Sequence, residues 1–259
     1  PFDRREHSSW CNCRITRRDA RFAVEISAPL AADEIGPFHQ GRLRAEAARR
    51  KGGQLQGSYF ESWFGRNVSD NPIAVYREVL ARGVGAPYSW GVTDMSVPVP
   101  QGAEPVVVGT RRWWQVSTAA QYVIINFWQR PDFLKRPGQV MVQTWHGTPY
   151  KLLGLDRPTK SGRPGSIRKI ERDIRAWDHL VSQNPHTTEV LRRAYLWQRP
   201  VLEIGYPRDD AAAVGDPALR ARVRAGLGLP DDEVVVLYAP TWREDNRSKV
   251  GVLDLERVA

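Results

Sequence analysis

Residues able to move a proton or grip phosphate recur in this chain directly after short apolar runs. The sharpest case lies within Gln139–Lys151. Val140–Thr144 alternates like a strand, and Trp145-His146-Gly147-Thr148-Pro149 ends it. His146 is thus placed where a strand stops and a loop begins. An imidazole with an ordinary pKa of ~6.5 is mostly neutral at physiological pH and can accept a proton, so His146 is the general-base candidate. Gly147 permits close backbone approach by a ligand, Thr148 brings a hydroxyl and Lys151 a cation. With Trp145 they form one candidate substrate-binding group. A structural histidine is the competing reading of that loop taken alone.

Three further clusters sit in the same kind of place: Ser182-Gln183-Asn184, Gly205-Tyr206-Pro207-Arg208 and Thr241-Trp242-Arg243. Arg208 and Arg243 suit bidentate contact with phosphate oxygens, although each has acids beside it to pair with (Asp209 and Asp210; Glu244 and Asp245). Asn184-Pro185 opens a helix whose free N–H groups can hold an anion. The remaining histidines are weaker: His179 and His186 read as structural or solvated, and His7 and His39 lie outside the sheet region. No two histidines have the i,i+4 spacing of a helical zinc pair, and Cys11 with Cys13 supplies at most two metal ligands. There is no G-x-G-x-x-G, P-loop, RNP-type strand or G-x-S-x-G, so no cofactor is expected.

The elements that must position these groups alternate. Strand-like runs are Tyr88–Val92, Pro105–Gly109, Tyr122–Phe127, Val140–Thr144, His179–Ser182 and Val201–Gly205. Helix-like runs are Arg111–Ala120, Ser166–Trp177, Pro185–Leu196 and Pro217–Leu227, with another carrying Ile73, Tyr76 and Leu80 after the cap-like Asn71-Pro72. This order predicts βαβ units, an α/β fold and a Rossmann-like, mostly parallel sheet. In such a sheet the strand C-termini share one edge, so the polar clusters should line a common crevice. Phe22–Ile26 reads as the last strand of an upstream β-rich module. Residues 41–51 read as an exposed basic helix and 52–58 as a linker. Glu233–Tyr238 reads as a buried strand opening a second domain. The expected divisions are 1–57, 58–210 and 211–259.

The sequence has 259 residues, is 41% hydrophobic and 26% charged, and carries a formal net charge of +9. That surplus favours an anionic partner: a phosphorylated substrate, an anionic membrane surface or nucleic acid. Trp113-Trp114 beside Arg111-Arg112 suits a lipid surface, a stacked base or, more simply, a buried helix face. Two cysteines argue against a disulfide scaffold. No run reaches the ~20 apolar residues of a membrane-spanning helix. The start at Pro1 and the end at Ala259 read as those of an internal fragment.

Five segments in order resemble one family. Thr144-Trp-His-Gly-Thr-Pro149, with Leu152 and Gly154, is similar to the signature of the CDP-glycerol glycerophosphotransferases, the wall teichoic acid polymerases and primases. Phe60–Gly65 with Ser69–Pro72, Tyr122–Asn126, Asp178–Pro185 with Leu202–Asp209, and Leu237–Arg243 resemble its other landmarks. The resemblance implies a GT-B architecture, here with the second domain truncated. It implies transfer of glycerol phosphate from CDP-glycerol to a terminal hydroxyl of a lipid-linked polyanionic acceptor of the teichoic acid type, with CMP leaving. His146 would be the base. It further implies a peripheral enzyme on the cytoplasmic face of the cell membrane. Tyr150 departs from the family, which often has Leu there. The family's second important histidine and its donor-gripping Ser/Asp segment would fall beyond Ala259, so the fragment alone should be inactive. A donor of CDP-ribitol or a nucleotide sugar is the alternative within enzymes. A non-catalytic basic module binding membrane or nucleic acid is the alternative outside them, with nucleic acid disfavoured.

Overall fold

The computed structural model describes residues 3–49, 54–130 and 133–239. The chain divides into two compact units, residues 1–210 and 211–259.

The first unit begins with three antiparallel strands, β1 (Asp3–His7), β2 (Asn12–Arg18) and β3 (Arg21–Ser27). Only the last has apolar alternation; the charged runs of β1 and β2 hide them from a search for buried faces. Helix α1 (Pro37–Arg49) starts before the expected helix at 41. It is not simply exposed, because it buries Leu43 and Ala47. Its Gln40 Nε2 donates to the Gly109 carbonyl and its Gln40 Oε1 accepts from Trp114 Nε1. Basic residues on its outer face meet acids, as Arg42 does with Asp33 and Glu46. Of the expected linker, residues 52 and 53 lie outside the described residues. Gln56 is tied down through its N–H to the Ala119 carbonyl.

Seven parallel strands form the main sheet: β4 (Ser58–Glu61), β5 (Tyr88–Val92), β6 (Ala103–Val107), β7 (Tyr122–Ile125), β8 (Val140–Gln143), β9 (His179–Ser182) and β10 (Val201–Glu203), in the order β10-β9-β8-β7-β4-β5-β6. The connecting helices are α2 (Asp70–Ala81), α3 (Arg111–Ala119), α4 (Pro164–Ile174) and α5 (Pro185–Tyr195). The observed strands end one or two residues before several of the expected ones, although Val108, Thr144 and Ile204 each still donate an N–H to the neighbouring strand.

Period-two alternation sorts the side chains of the central strands. Tyr59, Val123, Ile125 and Met141 pack with Trp113, Trp114, Trp177 and Trp197 in one cluster, whereas Phe60 and Ile124 pack with Tyr76, Trp90 and Val107 in the other. Each fully buried side chain of this size contributes roughly 1.5–3 kcal/mol. Trp113 and Trp114 are buried, with indole N–H groups donating to Tyr59 Oη and Gln40 Oε1. Arg111 and Arg112 are paired with Asp33, Glu46 and Glu104. The cluster that suggested a lipid or base platform is therefore core.

Residue 210 opens a short helix, α6 (Asp210–Val214). In the second unit Asp216 caps α7 (Pro217–Gly226) by accepting the Ala218 N–H, as the Asp-Pro pair predicts. The expected strand Glu233–Tyr238 does not form. Val234, Val236 and Leu237 are exposed, and no strand among the described residues pairs with the segment. A lone strand has no ladder to satisfy its backbone, so apolar β-formers do not suffice.

Candidate active site

The strand order reverses between β4 and β7. From β4 the chain winds outward through β5 and β6, then returns to β7 and winds the other way through β8, β9 and β10. At such a switch point the loops leaving neighbouring strand C-termini part and leave a crevice. The segments following β4, β7 and β8 converge there. The Trp63 N–H, after β4, donates to Asn126 Oδ1, after β7, at 3.0 Å. His146, after β8, meets the same residue: its Nδ1 lies 2.7 Å from the Asn126 carbonyl oxygen.

That contact sets the chemistry of the imidazole. A carbonyl oxygen only accepts, so Nδ1 carries the proton and Nε2 keeps its lone pair. Three aromatic rings surround the imidazole: Trp145 stacks on it at 4.7 Å between centroids, and Trp63 and Phe127 tilt against it at 4.9 and 5.3 Å. Burial among them pushes the His146 pKa below its ordinary value, against the opposing effects of the Asn126 carbonyl and the Asp70 carboxylate. The ring is therefore neutral at physiological pH, with its free nitrogen available as a base.

A polar strut braces this loop from below. Asn71 is completely buried. Its Nδ2 donates to the carbonyls of Thr144 (3.2 Å) and Trp145 (3.0 Å), and its Oδ1 accepts the Arg208 N–H at 3.2 Å. The sequence casts Asn71 as a helix cap, but α2 begins at Asp70 and the Asn71 side chain is spent on the histidine loop. Arg208 lies in the turn Pro207–Asp209 that follows β10. Its Nη1 donates to Asp70 Oδ1 at 2.6 Å and to the His146 carbonyl at 2.8 Å. Beneath it Tyr206 is buried, with its hydroxyl pKa pushed up to about 12 by that burial.

Backbone strain collects at the same place. Among the described residues, six other than glycine have positive φ, and four of them are Trp63 (50°), Phe64 (60°), Asp70 (64°) and Trp145 (55°). Each such residue costs of order 1–3 kcal/mol and persists only where its surroundings over-determine it. Bulky aromatic side chains are the least suited to this region.

The candidate residues thus take different positions. His146, Gly147 and Thr148 share one loop, and Thr148 Oγ1 donates to Gln183 Oε1 at 2.6 Å, joining the ends of β8 and β9. A β-carbon on Gly147 would meet nothing within 4 Å, so the space beside it is open. Trp145 is 3% exposed and packs on Tyr195 and His146, so its ring supports the base from inside the core. Lys151 is exposed beside Tyr150, which is 95% exposed. Asn184 caps α5, its Oδ1 accepting the Thr187 N–H at 2.9 Å. Arg208 joins the site, held by Asp70 and the His146 carbonyl. Arg243 lies outside the described residues. The sequence reading missed Asp70, Asn71 and Asn126 as site residues; the available signal was Ser69-Asp70-Asn71, three residues able to cap where one suffices. Among the described residues no three His, Cys, Asp or Glu side chains are grouped to hold a metal ion.

A family model describing CDP-glycerol:poly(glycerophosphate) glycerophosphotransferases matches residues 51–259. Over 197 residues the chain is 36% identical to a teichoic acid poly(glycerol phosphate) polymerase of Staphylococcus epidermidis, covering 72% of this chain and 27% of that protein. Over 207 residues it is 35% identical to a teichoic acid glycerol-phosphate transferase of Staphylococcus aureus, covering 74% of this chain and 52% of that one. Among solved structures, a histidine variant of the wall teichoic acid polymerase TagF superposes with a TM-score of 0.75 at 30% identity, over 85% of this chain and 57% of that chain. Another variant of that polymerase, soaked with CDPG, superposes with a TM-score of 0.74 at 30% identity, over 83% of this chain and 56% of that one. The chain spans about a quarter to a half of the length of these two curated relatives.

Proposed function

The chain belongs to the CDP-glycerol:poly(glycerophosphate) glycerophosphotransferase family, and from that membership we propose that the protein transfers glycerol phosphate from CDP-glycerol to a terminal hydroxyl of a lipid-linked, teichoic-acid-type acceptor. In this reaction the acceptor oxygen attacks the phosphorus that bears glycerol. A new P–O bond forms, the pyrophosphate linkage breaks, and CMP leaves with the bridging oxygen. The attacking hydroxyl must shed its proton, and His146 Nε2 receives it. One observation carries the assignment: His146 Nδ1 is committed to the Asn126 carbonyl, so the other nitrogen of a neutral imidazole is the base.

The acceptor's character follows from its surroundings. The net charge of +9 suits a polyanionic chain and an anionic membrane surface. Directly after the histidine loop, exposed Tyr150 and Leu152 flank Lys151, an apolar-basic combination suited to a lipid-water boundary. These features support a peripheral location on the cytoplasmic face of the membrane.

The test is His146→Ala in the full-length protein, with release of CMP from CDP-glycerol as the readout. A loss of roughly 10²–10⁴-fold with an unchanged circular dichroism spectrum is expected for a missing general base. Turnover at the parent rate would remove His146 from the mechanism. The parent enzyme assayed in parallel with CDP-ribitol tests the donor: preference for ribitol would overturn the glycerol assignment.

A further inference from the structure

Asp70 is a carboxylate held in an unusual way. Its side chain is only 6% exposed, and its backbone is in the left-handed region at φ 64°. Both carboxylate oxygens are occupied. Oδ2 accepts the Asn126 Nδ2–H at 2.9 Å, and Oδ1 accepts from Arg208 Nη1 at 2.6 Å and from the Asn71 N–H at 2.8 Å. No oxygen is used as an ordinary helix cap, which would accept the N–H two or three residues further on. The strained backbone therefore serves to aim the carboxylate elsewhere.

The two side-chain partners of that carboxylate act on His146. Asn126 presents the carbonyl that accepts from His146 Nδ1, and the Asp70 contact to its side-chain amide fixes the residue carrying that carbonyl. Its amide oxygen is held by the Trp63 N–H, so the amide is gripped at both ends. Arg208 donates to the His146 carbonyl through the same Nη1 that binds Asp70. Asp70 and Arg208 are the charged groups whose fields reach the imidazole, with opposite effects upon it.

We infer that Asp70 is a positioning residue for His146: by bridging Asn126 and Arg208 it holds the imidazole on the Asn126 carbonyl and so fixes the tautomer whose lone pair lies on the outer nitrogen. The inference deepens the proposed reaction, in which that nitrogen is the base. Asparagine in place of Asp70 would turn its amide N–H groups either toward Asn126 Nδ2 or toward Arg208 Nη1 and the Asn71 N–H, so at least one contact must break. Glutamate would keep the charge but extend past Asn126 by one methylene.

The experiment reads the imidazole itself and needs no turnover. Long-range ¹H–¹⁵N correlation spectra of the chain report the tautomer and the titration of His146, with its signals assigned by their loss in His146→Gln. In the parent protein a single Nδ1–H tautomer is expected near neutral pH. Asp70→Asn should give a mixture of tautomers and a titration midpoint moved to lower pH, since a charge favouring the imidazolium is gone. Arg208→Gln should move the midpoint to higher pH, since the opposing charge is gone and Asp70 is left unpaired. Opposite displacements from two partners of one ion pair are not produced by general loosening of the fold. Unchanged tautomer and midpoint in a folded Asp70→Asn protein would overturn the inference; should that variant not fold, an unmoved midpoint in Arg208→Gln would do so. In the full-length protein, Asp70→Asn should lower kcat by roughly 10²-fold with KM little changed, as expected for a misplaced catalytic group. If the spectra respond as expected but His146→Ala retains activity, the proposed base is wrong and the positioning role of Asp70 stands.

Discussion

Asn71 should be one of the most costly polar residues to remove. In Asn71→Ala three hydrogen bonds vanish, two to the carbonyls of Thr144 and Trp145 and one from the Arg208 N–H. The Trp145 carbonyl keeps a 3.3 Å contact from Thr144 Oγ1, whose single proton is shared with the Ile125 carbonyl at 3.1 Å, so the Thr144 carbonyl and the Arg208 N–H bear the main loss. A buried polar group left unsatisfied costs about 1–3 kcal/mol, so two cost about 2–6 kcal/mol. Against a typical total stability of about 5–15 kcal/mol, that is a large share. Urea unfolding followed by tryptophan fluorescence measures it. A thermal scan should show a fall of roughly 10 °C, taking about 2–4 °C per kcal/mol for a unit of this size. Asn71→Asp sharpens the test by keeping the shape while pointing an oxygen at two carbonyl oxygens, with the Asp70 charge alongside. Its folded pKa must lie above the unfolded value of ~3.9. Between those two values the folded state binds more protons than the unfolded, so stability falls as pH rises. The deficit of Asn71→Asp against the parent should therefore be smaller at pH 5 than at pH 7.5. A loss below about 1 kcal/mol in Asn71→Ala, or a deficit in Asn71→Asp that ignores pH, would refute the view that this side chain braces the histidine loop.

Two further outcomes follow from other parts of the structure. Gly91 lies in β5, where an added β-carbon would overlap the Tyr59 hydroxyl and lie 3.0 Å from Glu61 Oε2. Gly91→Ala should cost roughly 1–3 kcal/mol by overpacking, with Tyr59→Phe relieving part of it, and a double-mutant cycle by urea denaturation with no coupling would contradict the overlap. Because burial lowers the His146 pKa, the unfolded chain binds the extra proton first, so this residue lowers stability as pH falls below ~6.5 toward the folded value. That component should vanish in His146→Gln when urea midpoints at pH 5.0 and 7.5 are compared, and identical pH dependence in the two proteins would show that His146 is not desolvated.

The parallel sheet was legible because its signals are local. Apolar runs of four or five residues, separated by amphipathic stretches such as Ile167, Ile170, Ile174 and Trp177, state their secondary structure within a few positions. Cap-then-proline pairs at Asn184 and Asp216 act over three residues, and both do what their spacing says. The same rule fails at Asn71, where a buried carbonyl pair outcompetes the helix end for the amide. It fails again at Glu233–Tyr238, where strand propensity meets no partner strand among the described residues. β1 and β2 escape notice because their charged sequences show no run of apolar alternation.

The site is harder to read, because it is built from bonds that span the chain. Asp70 reaches Asn126 across 56 positions and Arg208 across 138, and no window along the sequence contains both ends. What the sequence does display is the result of that architecture: polar residues gathered after strands that the fold later brings side by side. The backbone strain supplies the remaining link. Trp63, Phe64, Asp70 and Trp145 occupy a region that disfavours them, and each lies beside a member of the network or is itself one. A conformation costing about 1–3 kcal/mol per residue survives only if the contacts it enables are worth more. Here those contacts converge on the side chain and carbonyl of His146. The strained turn after β4, the bent entry to α2 and the kink at Trp145 are therefore parts of one device that holds a neutral imidazole with a fixed tautomer at the switch point of the sheet.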